Sequence, residues 1–423
     1  MTLAAFDVRS FRFQWPADLL TSWAFEMETL IPGWYVMVNT GSVVWLTTFA
    51  SLQLLGTLAA PMFGALGDHV GSRSMLCAMR ATHAALATLL MVLAGAGLLT
   101  PAWVLAVAAL SGIVRPNDQV MRNALIGETI PPDHLIGALG MSRASMDSAR
   151  VAGSLAGAAL STALGIGLAY VFVTAFYLAS LALTFGVSRR RPVPDPGAIP
   201  RGAPGGVASG MSRPSRYGDL KDGLVYAATT PALLAPLLLA FLINLTAYPI
   251  TGGLLPYAAR RIYMVDATGL GWLVASFWAG ALLASITMAV TGGVRHPERS
   301  MLVHTAIWYA LLLAFGHVRS LGPGLVLLLL AGFVQSVAMI SMMGTLLAAA
   351  GSHFRARVMG ARMLAVNGLP LGLIGSGVLV ERVGYPLTVT VLCAVGLAFT
   401  VVIGVRWRAG MWQRTSPRLE PLH

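Results

Sequence analysis

Along most of the chain, apolar residues run in stretches long enough to cross a bilayer, broken only by short gaps where glycine, proline and charged side chains collect. A membrane-crossing helix needs ~20 mostly apolar residues, because backbone N–H and C=O groups within hydrocarbon must bond inside their own segment. Read at that length, the pattern predicts twelve spans. The first six lie near 17–38, 43–66, 75–97, 102–124, 141–164 and 167–187. The second six lie near 231–256, 268–291, 300–317, 323–349, 358–380 and 385–405. A β-barrel would show short alternating strands instead. The expected fold is therefore all-α and integral to the membrane, with twelve transmembrane helices in two six-helix bundles, 1–187 and 231–406.

Between the bundles, SRRRPVPDPGAIPRGAPGGVASGMSRPSRYGD (188–219) is too rich in proline, glycine and arginine to build a core, and reads as a linker. Leu220 to Thr230 follows as a short helix expected to lie along the membrane surface, completing a linker region over 188–230. Residues 407–423 form a polar tail. The first twenty residues carry charges and a proline where a secretory signal has its apolar core, so no cleavable peptide is expected.

Composition narrows the function. Charged residues make up 10% of the chain and hydrophobic residues 57%, against ~25% charged in soluble domains, which excludes an ordinary soluble enzyme. The net charge of +12 sits in the gaps between spans and forms no single nucleic-acid patch. Arg73, Arg189 to Arg191, Arg295, Arg299, Arg355 and Arg357 fall on one side, and only Arg260, Arg261, Arg319 and Arg382 on the other. The positive-inside rule then puts both termini in the cytoplasm. The 27 arginines against one lysine, Lys221, point to a GC-rich bacterial genome and so to a bacterial inner membrane. Cys77 and Cys393 lie far apart in apolar segments and imply no disulfide. No H-E-x-x-H, G-x-S-x-G or P-loop pattern occurs; no cofactor or metal site is expected, and energy should come from an ion gradient.

The halves resemble each other. GALGDHVGSR (64–73) after span 2 has a counterpart in GGVRHPER (292–299) after span 8. RASMDSARVAGSLAGAAL (143–160) in span 5 resembles RMLAVNGLPLGLIGSGVL (362–379) in span 11, both opening on arginine and carrying spaced glycines, Gly153 and Gly157 in the first and Gly368 and Gly372 in the second. Parallel repeats of this kind are built around a substrate site near the midplane between them.

Ionisable groups inside spans cost several kcal/mol unless paired or hydrated. Glu26 and Glu28 in span 1 are ~200° apart around the helix, so one should face a central cavity and the other a neighbouring helix. Both are candidates for carrying a proton, as are Asp118 and Asp147; ion pairing with arginine is the competing reading. Arg115, Asp118 and Arg122 share a stripe of span 4, where Pro116 should kink the helix, and Arg143, Asp147 and Arg150 share one of span 5. Two roles stay open for these stripes: an interlocked ion-pair network, or a solute or proton site in which Arg115 meets an anionic group. Asn244 and Tyr248 in span 7 and Gln335 and Ser336 in span 10 are candidate cavity residues, with helix bridging as the alternative. Pro249, Pro256, Gly252 and Gly253 should loosen the outer half of span 7.

The stretch GALGDHVGSRSML (64–76) resembles the signature G-x-x-x-D-(R/K)-x-G-R-(R/K) between helices 2 and 3 of the major facilitator superfamily, on Gly64, Asp68, Gly71 and Arg73. That resemblance implies a gate in which Asp68, at the start of helix 3, pairs with arginines in one conformation and releases them in another. Residues 115–158 and 355–384 look like the branch that includes macrolide exporters and the enterobactin exporter; where that branch commonly has glycine-proline in helix 5, this chain has Gly153-Ser154, then Gly157. The resemblance implies a twelve-helix, monomeric carrier that exports a small amphipathic solute or drug in exchange for protons. Because spans 1, 4, 7 and 10 line the cavity in that superfamily, it also favours Asn244, Tyr248, Gln335 and Ser336 as cavity residues. The alternative is uptake of an organic anion or siderophore, which the arginines of spans 4 and 5 would also suit. The expected partners are the solute, protons and membrane lipid, with no nucleic acid.

Overall fold

The computed structural model describes residues 4–57, 70–188, 230–349, 362 and 365–407. Its regular elements among these residues are all helical. Gly64 and Asp68, the linker, the expected interfacial helix at 220–230 and the tail beyond residue 407 lie outside the described residues, apart from Ser188 and Thr230 at the linker's edges.

Span 1 is the helix Arg9–Thr40, span 2 begins as Val43–Leu52, span 3 is Ser72–Gly95 and span 4 is Pro101–Thr129. Spans 5 and 6 form one run, Pro132–Phe185, broken at Gly165, whose φ of 75° and ψ of 171° turn the chain between them. Spans 8, 9, 10 and 12 are Ala267–Thr291, Pro297–His317, Leu321–Ala349 and Tyr385–Arg406, and the described part of span 11 is Gly368–Val383. Span 7 starts as Pro231–Thr246 and then breaks into the short pieces Tyr248–Gly252 and Leu255–Tyr257 and a wide turn, Ala258–Ile262. Pro249 and Pro256 each stand in the first turn of a piece, because proline interrupts a helix but suits a helix start.

Six of the described helices are long and apolar enough to cross a membrane, and one of them, Gly137–Phe185, holds two spans. The other five expected spans differ for physical reasons. Spans 1 and 4 carry the buried charges described below, while spans 2, 7 and 11 are short or interrupted within the described residues. Large apolar side chains such as Val92, Leu168, Val290 and Val405 stand exposed on outward faces, where lipid is the natural solvent.

Close helix approach repeats in the two halves. A Cβ on Gly153 would meet Glu26 at 3.0 Å, and one on Gly157 would meet the Met27 backbone at 3.1 Å, so span 5 packs on span 1. In the second half a Cβ on Gly368 would meet the Phe241 carbonyl oxygen at 3.0 Å, and one on Gly372 would overlap the Leu245 carbonyl, so span 11 packs on span 7. Gly56 and Gly112 bring spans 2 and 4 together as Gly280 and Gly332 bring spans 8 and 10 together, each leaving no room for a Cβ. Small residues at these crossings let backbones approach where hydrophobic burial gives no drive.

The halves meet along spans 2 and 11, where Gly377 faces Thr47, and spans 5 and 8, where Gly271 faces Ala158. The hydrogen bonds across this seam are polar: Ser42 Oγ to Glu381 Oε1 at 2.7 Å, Thr57 Oγ1 to Asn367 Oδ1 at 2.8 Å, and Thr268 Oγ1 to Thr162 Oγ1 at 3.2 Å. Glu381 also accepts from the Val44 N–H at 3.4 Å, at the start of span 2.

Gly372→Ala is expected to lower the melting temperature of the purified protein, an overpacking cost of about 1–3 kcal/mol. Gly375, three residues on, has no atom within 4 Å of a Cβ position, so Gly375→Ala should leave it unchanged.

Candidate functional site

A cavity of about 420 Å³ lies between the halves. Spans 1, 2, 4 and 5 of the first half form one side, and spans 7, 8 and 11 the other. Its wall is mainly apolar, with Phe25, Phe49 and Trp278 as the aromatic members, and its charged members are Glu26, Arg115, Asp118, Arg122 and Arg150.

Behind the cavity, the first bundle holds a buried four-charge cluster. Asp18 pairs with Arg80, Arg122 pairs with Asp118, and Arg122 Nε lies 3.7 Å from Asp18. Arg122 Nη1 also donates to the Asp18 carbonyl oxygen at 2.9 Å and to Ser22 Oγ at 2.8 Å, and Arg80 donates to Thr184 Oγ1. Two cations and two carboxylates, all buried, thereby tie spans 1, 3, 4 and 6. Asp18 and Arg80 were not among the residues singled out by sequence. The signal was a lone arginine within an apolar span 3, which demands a buried carboxylate elsewhere.

Span 5 builds a second, more exposed network. Asp147 accepts from Arg143 Nε at 3.2 Å and Arg150 Nη1 at 3.0 Å, while Arg150 Nε lies 3.9 Å from Glu26 Oε1. The Arg150 guanidinium also sits 4.2 Å from the centre of the Trp278 ring, across the interface between the halves. The expected interlock of the span 4 and span 5 stripes is therefore replaced by two separate networks. Span 1 supplies both partners, because its Asp18 engages Arg122 while its Glu26 faces Arg150.

The two glutamates of span 1 diverge. Glu26 lines the cavity. Glu28 is buried against span 6, where the Tyr177 hydroxyl donates to it at 2.5 Å and Tyr177 stacks on His83, itself fully buried.

Arg115 donates through Nη1 to Gln53 Oε1 at 2.5 Å and through Nη2 to the Phe25 carbonyl oxygen at 2.9 Å, and stands 4.8 Å from the Phe25 ring centre. Of the two arginines on its stripe, Asp118 pairs with Arg122, one helical turn along, and not with Arg115. The remaining cavity candidates lie elsewhere. Asn244 donates to the Ala240 carbonyl oxygen in its own helix, Gln335 donates to the Tyr248 hydroxyl at 2.6 Å, and Ser336 meets Ser285 at 3.3 Å. Tyr248, Gln335 and Ser336 bridge helices of the second half and Asn244 bonds within its own, while span 7 reaches the cavity through Thr251 to Gly253, Leu255 and Pro256, at its break.

Of the gate signature, Gly71 precedes span 3 at φ 88°. Arg73 donates to the carbonyl oxygens of Thr184 at 3.3 Å and Phe185 at 2.7 Å, capping the end of span 6, where a cation is favoured.

A family model described as Major Facilitator Superfamily matches residues 19–256. No curated protein matches the chain. Solved structures of similar fold include the human organic anion transporter MFSD10 (TETRAN), at 16% identity over 93% of this chain and 99% of that one, TM-score 0.63. The nucleoside transporter NupG has 14% identity over 96% and 99%, TM-score 0.65. A POT family transporter in complex with 5-aminolevulinic acid has 11% identity over 95% and 96%, TM-score 0.69. At these identities the likeness is one of fold.

Removing Asp18 leaves Arg80 and Arg122 with one carboxylate between them. Asp18→Leu is expected to destabilise the purified protein by about 3–5 kcal/mol in denaturant unfolding, and Asp18→Leu with Arg80→Met to recover most of that loss. Arg115→Ala, which leaves no carboxylate unpaired, should cost about 1 kcal/mol or less.

Proposed function

The chain belongs to the Major Facilitator Superfamily, and from that premise we propose that it is a secondary transporter whose one cavity opens alternately to the two sides of a bacterial inner membrane. The observation that carries this reading is the cavity itself, walled by both halves and holding ionisable side chains beside an apolar surface. In this reading the bundles 1–187 and 231–406 rock about the cavity, joined by the linker 188–230, with both termini and the tail 407–423 in the cytoplasm. A seam of small residues and a few polar hydrogen bonds supports such motion, since it parts without exposing buried charge.

Coupling runs on protons. Glu26 is the carboxylate best placed to carry one, because it lines the cavity and its arginine partner is 3.9 Å away. Asp118 lines the cavity too but is committed to Arg122, and Asp147 is shared by two arginines. Export of a small amphipathic solute in exchange for protons is the direction that the sequence resemblance favours. Gly64 and Asp68, with Gly71 and Arg73, serve as the gate on the side of the termini, and the protein works as a monomer.

In proteoliposomes, a transported solute is expected to show saturable uptake and counterflow exchange. Glu26→Gln should abolish proton-driven flux while keeping exchange at equal concentrations, and Glu28→Gln should keep both. Asp68→Asn should leave insertion normal and reduce flux at least tenfold. Unsaturable flux without counterflow would indicate a channel.

A further inference from the structure

The charges around the cavity are unevenly paired. Asp18, Arg80, Asp118 and Arg122 cancel within the first bundle, and Glu26 and Asp147 cancel Arg143 and Arg150. Arg115 is left over, with no carboxylate within ion-pair distance among the described residues. Glu28, its formal counterpart on span 1, faces span 6 and accepts from Tyr177.

Arg115 is nonetheless held in place. Its partners, the Gln53 amide oxygen and the Phe25 carbonyl oxygen, are both neutral, so they fix the guanidinium without cancelling its charge. The Thr29 hydroxyl, 2.9 Å from the Phe25 carbonyl oxygen and 3.3 Å from the Gln53 amide oxygen, lies beside both partners and has one proton to give to either. A guanidinium has five N–H donors, and two are engaged here. Glu28 acts on Arg115 only at longer range; a low-dielectric cavity makes a cation without a paired carboxylate costly, and an anion arriving with its own apolar body lowers that cost. On the facing wall, Thr251 of span 7 lines the cavity, and its hydroxyl is buried with no hydrogen-bond partner.

We propose that the transported solute is an amphipathic organic anion, its carboxylate or equivalent acid group seated on Arg115 beside Gln53, and a second polar group meeting Thr251 across the cavity. A solute spanning Arg115 and Thr251 bridges the two halves, so its binding is felt by both. The apolar body lies against Leu30, Phe49, Leu270, Leu373 and Trp278. This inference rests on the transport reading, which supplies the reason for a solute to enter.

The test uses purified full-length protein and matched probes, each an amphipathic carboxylate and its primary amide: decanoate and decanamide, 1-naphthoate and 1-naphthamide, indole-3-acetate and indole-3-acetamide. At least one carboxylate is expected to raise the melting temperature by several degrees while its amide does not. Arg115→Gln should weaken that carboxylate at least tenfold, and Thr251→Val should weaken it by a smaller factor. If Arg115→Gln fails to fold, the comparison of carboxylate with amide in the unsubstituted protein decides alone. Equal shifts from amides, an unchanged carboxylate response in Arg115→Gln, or no response to any carboxylate overturns the anion assignment. Counterflow of the bound probe separates the two ideas. A carboxylate that binds through Arg115 without exchange refutes transport and keeps the anion site, whereas exchange of amides alone keeps transport and refutes the anion site.

Discussion

The pairing of Asp18 with Arg80 and Arg122 sets the geometry of the first bundle. A buried ion pair contributes little net stability, but breaking one strands a charge, so the surrounding helices are confined to arrangements that keep every member paired. That constraint fixes the rotation of span 1. At ~100° per residue, Asp18, Ser22, Phe25 and Thr29 share one stripe facing span 4, and Glu26 and Glu28 fall on opposite sides of it. One glutamate is thereby delivered to the cavity and the other to Tyr177. Arg115, two turns along span 4 from Arg122, then reaches the same stripe at the level of Phe25.

Among the described residues, the second bundle solves the same packing problem without a buried charged side chain. Its core around span 7 uses the buried Trp308 and Tyr309, with the Tyr309 hydroxyl 2.6 Å from Thr246 and Tyr248 edge-on to Trp308. Glycines set the crossings in both bundles, at Gly56 with Gly112 and at Gly280 with Gly332. The two halves therefore share a backbone plan and differ in chemistry. The first presents charged groups to the cavity, and the second presents an apolar wall broken by the interrupted part of span 7. A carrier that must bind a polar group and still slide past an apolar surface is served by that division.

Span positions were legible because hydropathy at membrane length is a strong signal: the predicted gap between spans 5 and 6 falls on Gly165, the residue that breaks the helix. The repeat was legible through Gly153, Gly157, Gly368 and Gly372, since only small residues fit those crossings. Which charges pair was not legible. Asp18 stands near the edge of its span and reads as an interfacial residue, and its partner Arg80 is 62 residues away on another helix. Asn244, Tyr248, Gln335 and Ser336 carry the right chemistry for a cavity, but their orientation depends on the rotation of spans 7 and 10, which hydropathy does not encode in helices apolar all round. The wall segment Thr251 to Pro256 was marked only as a break, because proline and glycine announce an interruption and not what it faces.

Alternating access requires the two halves to move against each other around the cavity. Val38, at the end of span 1, and Val383, at the end of span 11, lie at the same end of the molecule on opposite halves and are exposed enough to carry probes. With Cys77 and Cys393 replaced by serine, spin labels at Val38→Cys and Val383→Cys report the separation of the halves by double electron–electron resonance in lipid nanodiscs. Two distance populations are expected, a short one matching the closed seam and a longer one, exchanging weight as pH or solute is changed. A single distance, unmoved by pH and solute in a doubly labelled protein that still performs counterflow, would contradict alternating access.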